Sequence, residues 1–146
     1  MSAEPRWISK TAALAIHEQL LAEHGGPSGV NEGRLEAALG SPRNHFTYGE
    51  RNIFRLATAY AFAITRDHPF RDGNKRVALT LAGLFLELNG VRLEATESSA
   101  AEALIALSAR EMDEEGFAKW LRDCSSVLKT RPSRPTTRRK PPPRRR

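Results

Sequence analysis

Two long apolar stretches dominate the hydrophobic pattern of this chain. Residues 53–66 (IFRLATAYAFAITR) and residues 74–88 (NKRVALTLAGLFLEL) are apolar around most of a helical wheel. Helices that are apolar on all sides are typical of protein interiors, so the two stretches predict a buried central pair of helices. Asn89-Gly90 follows the second stretch and is a suitable helix end.

Other segments predict helices that surround this pair. Each begins at a residue whose side chain can accept a hydrogen bond from the first helical turn. Their predicted bounds, with the capping residue first, are Ser9 or Thr11 to about His24, Asn31 to Leu39, Thr96 to about Arg110, and Asp113 to about Asp123. Residues 91–93 favour a short extended piece, and strand signals are otherwise nearly absent. The predicted fold class is all-α, with five to seven helices around the central pair.

Residues 41–50 (SPRNHFTYGE) allow two interpretations. The apolar residues alternate at Phe46 and Tyr48, which favours a short β-hairpin. The surrounding polar residues and proline equally fit a connecting loop. The pattern leaves both interpretations open.

The charged residues divide the chain into two parts. The 146 residues include 23 Lys/Arg and 17 Asp/Glu, for a formal charge of +6. Nine of the basic residues and none of the acidic ones lie in 129–146, so residues 1–128 hold 14 Lys/Arg against 17 Asp/Glu, a net charge of −3. Residues 1–128 therefore form the predicted domain.

The C-terminal residues 129–146 are rich in proline and like charges, which oppose a packed core and predict a disordered arm. Such an arm is either a solvated tail without a partner or a non-specific electrostatic contact for nucleic acid or an acidic protein. It contains no aromatic residue, which disfavours base stacking.

The compartment is indicated by cysteine use and hydropathy. A single cysteine, Cys124, excludes an internal disulfide and fits a reducing environment. The first ten residues have no apolar leader region, and no apolar run approaches membrane-spanning length. These features predict a soluble, cytoplasmic protein with no membrane partner.

The candidate chemistry lies between the two apolar stretches, in residues 68–76 (HPFRDGNKR). Pro69 disfavours the α conformation at His68 and so predicts that the preceding helix ends there. Phe70 is apolar and would anchor the loop in the core. Asp72 offers the oxygen ligand that Mg²⁺ prefers.

The start of the second central helix is unusually basic. Lys75 and Arg76 lie in the first turn, where the helix dipole disfavours each cation by a few tenths of a kcal/mol. Gly73 permits a tight turn before them, and Asn74 is a suitable N-cap. Free backbone N–H groups, the positive helix end and two cations together predict a phosphate-binding site.

A zinc site is not supported. His17 and Glu18 begin an HExxH pattern, but the position of its second histidine is Leu21. His17 and His24 are therefore interpreted as ordinary helix residues.

HPFRDGNKR resembles the signature of the Fic/Doc family, HPFx[D/E]GN[G/K]R, and is most similar to that of the Doc (death-on-curing) toxin branch. The similarity extends from about residue 8 to 123, including GGPSGVNEGRLEAAL and LFLELNGVRL. It implies a Fic/Doc-like helical bundle that uses ATP and Mg²⁺. The implied roles are general base for His68, Mg²⁺ ligand for Asp72, phosphate binding for Gly73, Asn74, Lys75 and Arg76, and loop support for Phe70. The segment equivalent to residues 41–50 resembles a target-docking flap, which makes Phe46 and Tyr48 docking candidates.

The resemblance also bears on the reaction. Most adenylylating Fic proteins have glycine at the position of Lys75 and a second arginine at the position of Leu79, whereas Doc-like toxins share the lysine and lack that arginine. The resemblance thus implies transfer of the γ-phosphate of ATP to a hydroxyl of elongation factor Tu, which blocks translation and growth. Gly73 instead follows the adenylylating pattern, so protein adenylylation (AMPylation) stays open.

The resemblance also implies regulation by a separate partner, because the self-inhibition motif of some Fic proteins is incomplete in this chain. Some Fic proteins inhibit themselves through an [S/T]xxxE[G/N] helix motif, which Ser98 and Glu102 match but Ala103 does not. The chain is therefore expected to be the toxin of a type II toxin–antitoxin pair, inhibited by a separate antitoxin segment that is disordered when free. An alternative of another class is a non-catalytic binding module that contacts anions or nucleic acid through the basic arm.

Overall fold

The computed structural model describes residues 3–128, which form six helices and one small antiparallel sheet. In chain order the elements are α1 (Lys10–His24), α2 (Glu32–Thr47), α3 (Ile53–Asp67), α4 (Asn74–Leu88), β1 (Val91–Leu93), α5 (Glu97–Ser108), α6 (Glu114–Asp123) and β2 (Ser125–Val127). The predicted helical fold is confirmed. The predicted disordered arm lies outside the described residues. Within the described range, no helix combines the length and hydropathy needed to cross a bilayer.

The predicted central pair is α3 and α4. Both helices are buried along most of their length, and α3 presents alanines that allow close approach, with Ala57, Ala61 and Ala63 fully buried. Tyr60 on α3 packs against Phe85 on α4 with ring centroids 5.2 Å apart. Since both helices are fixed in the core, the short loop of residues 68–73 between them has two rigid ends.

Side-chain caps define the beginnings of the described helices, with one exception. In five of the six, the side chain of the N-cap residue accepts a hydrogen bond from a first-turn N–H; these residues are Ser9, Asn31, Asn52, Thr96 and Asp113. The sequence predicts four of these five caps, with Ser9 as one of two alternatives for α1. The exception is α4, which begins without a side-chain cap.

The β-hairpin and loop interpretations of residues 41–50 are both wrong for most of that segment, because α2 continues through it to Thr47. Pro42 lies inside this helix and is buried. The buried residues of α2 recur at helical spacing: Leu35, Ala38, Leu39 and Pro42. Phe46 extends the same face and meets Trp7 edge-on at 5.7 Å. The helical period therefore determines this segment, and Tyr48, beyond the helix, is left 89% exposed.

The predicted extended piece at residues 91–93 is confirmed as β1. It pairs antiparallel with β2, with Arg92 opposite Ser126. The partner strand was not predicted, because three residues are too few to show a period of two in the sequence.

Candidate active site

The loop of residues 68–73 is held in place by backbone hydrogen bonds to a segment far away in sequence. Residues 29–31 run antiparallel to residues 69–71, with a bridge between Val30 and Phe70. The N–H of Asn31 donates to the carbonyl of Pro69 at 2.7 Å, and the N–H of Arg71 donates to that of Gly29 at 2.9 Å. The loop is therefore bound to a second piece of chain as well as to its own helices.

His68 follows the last residue of α3 in a left-handed conformation, with φ 49° and ψ 58°. The helix end predicted from Pro69 is confirmed. A non-glycine residue in this region costs on the order of 1 kcal/mol, which the surrounding structure has to offset, and such residues are concentrated at functional sites. The side chain of His68 is exposed.

Phe70, for which a role in loop support is predicted, is only 2% exposed. Its ring stacks on His17, with centroids 3.9 Å apart and planes 18° apart. His17 is buried, and its Nε2 lies 2.9 Å from the carbonyl oxygen of Asp72. A carbonyl only accepts, so Nε2 donates and bears a hydrogen. The sequence predicts His17 as an ordinary helix residue. In the structure it contacts the loop through both its ring and its N–H group. The only sequence signal for this role is a polar residue on the buried side of α1.

Asn74 is not the N-cap of α4. Gly73 occupies that position with φ 85° and no capping hydrogen bond. Asn74 is 5% exposed and turns back into the loop. Its Oδ1 accepts from the N–H of Phe70 at 3.0 Å, and its Nδ2 donates to the carbonyl of Phe70 at 2.7 Å and to Nδ1 of His68 at 3.3 Å. The amide of Asn74 thus orients the imidazole of His68.

The N-terminus of α4 is uncapped and carries two exposed basic residues, Lys75 and Arg76. Among residues 3–128, no side chain accepts from its first-turn N–H groups, and no acidic residue lies in that turn. Lys75 and Arg76 are both exposed there, and neither forms an ion pair with another residue of the 3–128 range. The geometry combines two cations, unpaired backbone donors and the positive end of the helix dipole.

A cavity of about 720 Å³, here called the donor cavity, opens in front of this helix end. Its volume is in the range of small-molecule sites, roughly 300–1,000 Å³. One wall consists of the loop and the first two turns of α4, and the opposite wall of α5. The lining includes His68, Asp72, Lys75, Arg76 and Leu79 on the first wall, and Glu97, Ala101, Leu104 and Ile105 on the second. The lining thus combines charged and polar side chains with apolar ones.

Asp72 lies in the lining of the donor cavity with an exposed side chain. Its carboxylate is packed so closely against Gly26 that a Cβ at position 26 would overlap it. No cluster of three or more metal-binding side chains is present in residues 3–128. Mg²⁺ in nucleotide sites commonly takes one or two carboxylates and completes its shell with phosphates and water. Asp72 fits such an ion, which would arrive with the phosphates.

Comparison with known proteins gives the family. Residues 7–86, more than half of the chain, match the Fic/DOC family. The chain belongs to the Fic/DOC family. It is also 38% identical over 90 residues to a protein of Escherichia phage P1 named "Protein kinase doc", covering 60% of this chain and 71% of the phage protein. The predicted relationship to this family and to its Doc branch is confirmed.

Two candidate residues of this Fic/DOC protein lie away from the loop. Phe46 is packed under the guanidinium of Arg51, 4.0 Å from its ring centroid, and Tyr48 is exposed. Neither lines the donor cavity, and their docking role stays a prediction. The extended segment beside the loop of residues 68–73 is formed by residues 29–31 and not by residues 41–50. The sequence does not indicate this pairing.

Proposed function

We propose that this protein is the toxin of a type II toxin–antitoxin pair and transfers the γ-phosphate of ATP to a hydroxyl of a target protein. The observation that carries the proposal is the convergence of His68, Asp72 and the basic, uncapped start of α4 on one cavity. The similarity to a protein named as a kinase supports phosphoryl transfer. By family resemblance the target is elongation factor Tu, whose modification would block translation and growth.

The phosphates of ATP would bind at the N-terminus of α4. The N–H groups of its first turn, together with Lys75 and Arg76, would donate to phosphate oxygens, and Asp72 would hold Mg²⁺. When bound with the nucleotide, Mg²⁺ neutralises phosphate charge. Because the protein donors are fixed by a rigid helix, they stabilise charge on the transferred group without reorganisation.

His68 would be the general base. The Nδ2 of Asn74 only donates, so Nδ1 of His68 accepts, and the hydrogen of the neutral ring lies on Nε2. At 3.3 Å this hydrogen bond is long, and an incoming hydroxyl competes with it for Nδ1. As the hydroxyl oxygen bonds to the γ-phosphorus, the bond between that phosphorus and ADP breaks and the hydroxyl proton passes to His68.

The residues at the helix start favour phosphate over nucleotide transfer. Leu79 lines the cavity one turn after Lys75 and offers no charge where adenylylating relatives have a second arginine. Gly73 does not weigh against this, since its φ of 85° is strained for other residues. The backbone of the turn therefore accounts for glycine at this position without reference to the reaction.

The test is intact-protein mass spectrometry of elongation factor Tu after incubation with ATP, Mg²⁺ and this protein. We expect a phosphate-sized gain in mass, reduced about 10²–10⁴-fold in rate by His68→Ala, as for loss of a general base. A nucleotide-sized gain would establish adenylylation instead. No gain in elongation factor Tu or in any protein of a lysate would contradict the transferase proposal.

The antitoxin is tested separately by growth. The wild-type protein expressed alone should arrest growth, while the His68→Ala protein, checked for equal solubility, should not. Co-expression of the partner encoded with it should restore growth. Arrest by both variants would argue for action by binding rather than catalysis.

A further inference from the structure

A second depression also borders His68. It also has a volume of about 720 Å³ and is more open than the donor cavity. We call it the acceptor cleft; its lining residues are Asn31, Gly33, Arg34, Ala37, Arg66, Asp67 and His68. Among these described residues, only His68 also lines the donor cavity. His68 therefore borders both depressions.

This arrangement matches the geometry of phosphoryl transfer. The attacking and leaving oxygens lie roughly in line on opposite sides of the transferred phosphorus. If the nucleotide phosphates occupy the side of Lys75 and Arg76, the attacking hydroxyl has to approach from the opposite side. A base that removes its proton has to be within hydrogen-bond reach of that hydroxyl. Since His68 lines the acceptor cleft, a hydroxyl bound there would lie next to the candidate base.

The charges of the acceptor cleft are unbalanced. Asp67 is the single carboxylate among the described lining residues. It is bound by Arg66, whose Nε lies 2.7 Å from Oδ1 and whose Nη2 lies 3.2 Å from Oδ2. Arg34 is exposed and has no ion-pair partner within residues 3–128. The cleft thus presents one uncompensated positive charge close to the base.

Arg34 lacks a partner although glutamates flank it on α2. Glu32 and Glu36 both turn to Lys10 on α1, with Nζ–Oε distances of 2.6 and 2.8 Å. These hydrogen bonds raise the pKa of the Lys10 ammonium and hold both carboxylates. Since the local acids are engaged elsewhere, the guanidinium of Arg34 is left for a group from outside the chain.

We propose that the acceptor cleft binds the target segment that carries the reacting hydroxyl, and that Arg34 pairs with an acidic side chain of that segment. This inference rests on the proposed transferase function. It assigns Arg34 to recognition of the protein substrate, with no part in binding ATP.

The test measures transfer kinetics with elongation factor Tu as the protein substrate for Arg34→Glu, Arg34→Lys and a control. The control is Arg92→Glu on β1, which reverses the charge of another exposed arginine without an ion pair in the described range. We expect Arg34→Glu to raise the KM for the target about five- to tenfold, as for reversal of an exposed charge at a binding surface. Arg34→Lys should stay within about twofold of the wild type, since it keeps the charge. The kcat at saturating target and the Kd of ATP from calorimetry should not change.

The outcomes separate this inference from the function on which it rests. A KM effect that is confined to Arg34→Glu and weakens with added salt supports the cleft. If the wild type transfers phosphate but Arg34→Glu has the same KM as Arg92→Glu, or weakens ATP binding instead, the cleft assignment is overturned and the transferase stands. If the wild type modifies no protein, both fail.

Discussion

At the scale of single residues, the shape of the candidate site depends on two buried polar side chains. Asn74 connects the backbone of Phe70 to the ring of His68, and His17 donates to the carbonyl of Asp72. A buried group that loses its partner costs about 1–3 kcal/mol of folding free energy. Replacing either side chain is therefore expected to lower the stability of the protein and to change the geometry of the loop. Neither group is required to contact the substrate to influence the reaction.

The role of His17 is tested by His17→Phe, which retains the stacking surface against Phe70 but removes the N–H donor to Asp72. We expect a loss of about 1–2 kcal/mol in the free energy of unfolding. We also expect kcat to fall about tenfold, because a small displacement of catalytic groups lowers the reaction rate strongly. Urea unfolding and transfer kinetics give the two values.

The control for His17→Phe is the same substitution at His45, an exposed residue of α2, which should have neither effect. His17→Gln removes the ring that stacks on Phe70 but retains an N–H donor, so it should recover part of the activity lost in His17→Phe. Full activity in His17→Phe would show that the hydrogen bond to Asp72 does not position the loop.

At the scale of elements, predictability followed the strength of local patterns. The central helices can be predicted because their apolar residues continue over four turns. The caps at Asn31, Thr96 and Asp113 can be predicted because each cap side chain binds a backbone N–H within one turn of its own position. The second half of α2 was missed because Gly40, Ser41 and Pro42 are local signals of a chain break. Packing of the buried face against α3 outweighed these signals.

The sequence predicts the candidate site only where its residues are neighbours along the chain. His68, Phe70, Asp72, Lys75 and Arg76 are close in sequence, and their order carries the information. The supporting contacts come from α1, from residues 29–31 and from α5, at separations that no local pattern encodes. The prediction of Asn74 as the N-cap of α4 is wrong because the N-cap preference of asparagine is a statistical tendency, whereas its buried hydrogen bonds depend on the folded loop.

Tyr60 joins two elements and gives a prediction on pH. Its hydroxyl oxygen accepts from the N–H of Ile8 at 3.0 Å, which ties the N-terminal segment to α3. Burial raises the pKa of the Tyr60 phenol above its ordinary value, opposed in part by the Ile8 hydrogen bond and Arg43. Below pH of about 10 the phenol is protonated in both states and contributes no pH dependence. Above it the unfolded chain releases the proton first, so the free energy of unfolding falls as pH rises.

We therefore expect Tyr60→Phe to lower the free energy of unfolding at pH 7 by about 1–2 kcal/mol, because the buried N–H of Ile8 loses its acceptor. The deficit should shrink as pH is raised beyond about 10, since the variant has no phenol to ionise at this position. Urea unfolding of both proteins between pH 7 and 11 measures this. Tyr48→Phe, at a residue that is 89% exposed, is the matched control and should follow the wild type throughout. A constant difference between wild type and Tyr60→Phe across this range would contradict the assignment.

At the scale of the whole molecule, the net positive charge and the candidate site residues lie in different parts of the chain. The family match covers residues 7–86, and the lining of both cavities ends at Ile105. Residues 129–146 contain nine of the 23 basic residues and no acidic residue, which leaves residues 1–128 at −3. A transferase and a basic binding module therefore make opposite predictions about which part of the chain is required.

Deletion of residues 129–146 compared with His68→Ala in the full chain separates these functions. We expect the shortened protein to transfer phosphate at a rate within about threefold of the full chain, because every residue assigned to ATP or to the target lies before position 106. Removing nine positive charges should abolish any salt-dependent affinity for DNA, measured by fluorescence anisotropy at two ionic strengths. The His68→Ala protein should show the reverse, with DNA affinity retained and transfer lost. If the shortened protein no longer arrests growth while the His68→Ala protein still does, the arm and not the loop carries the function.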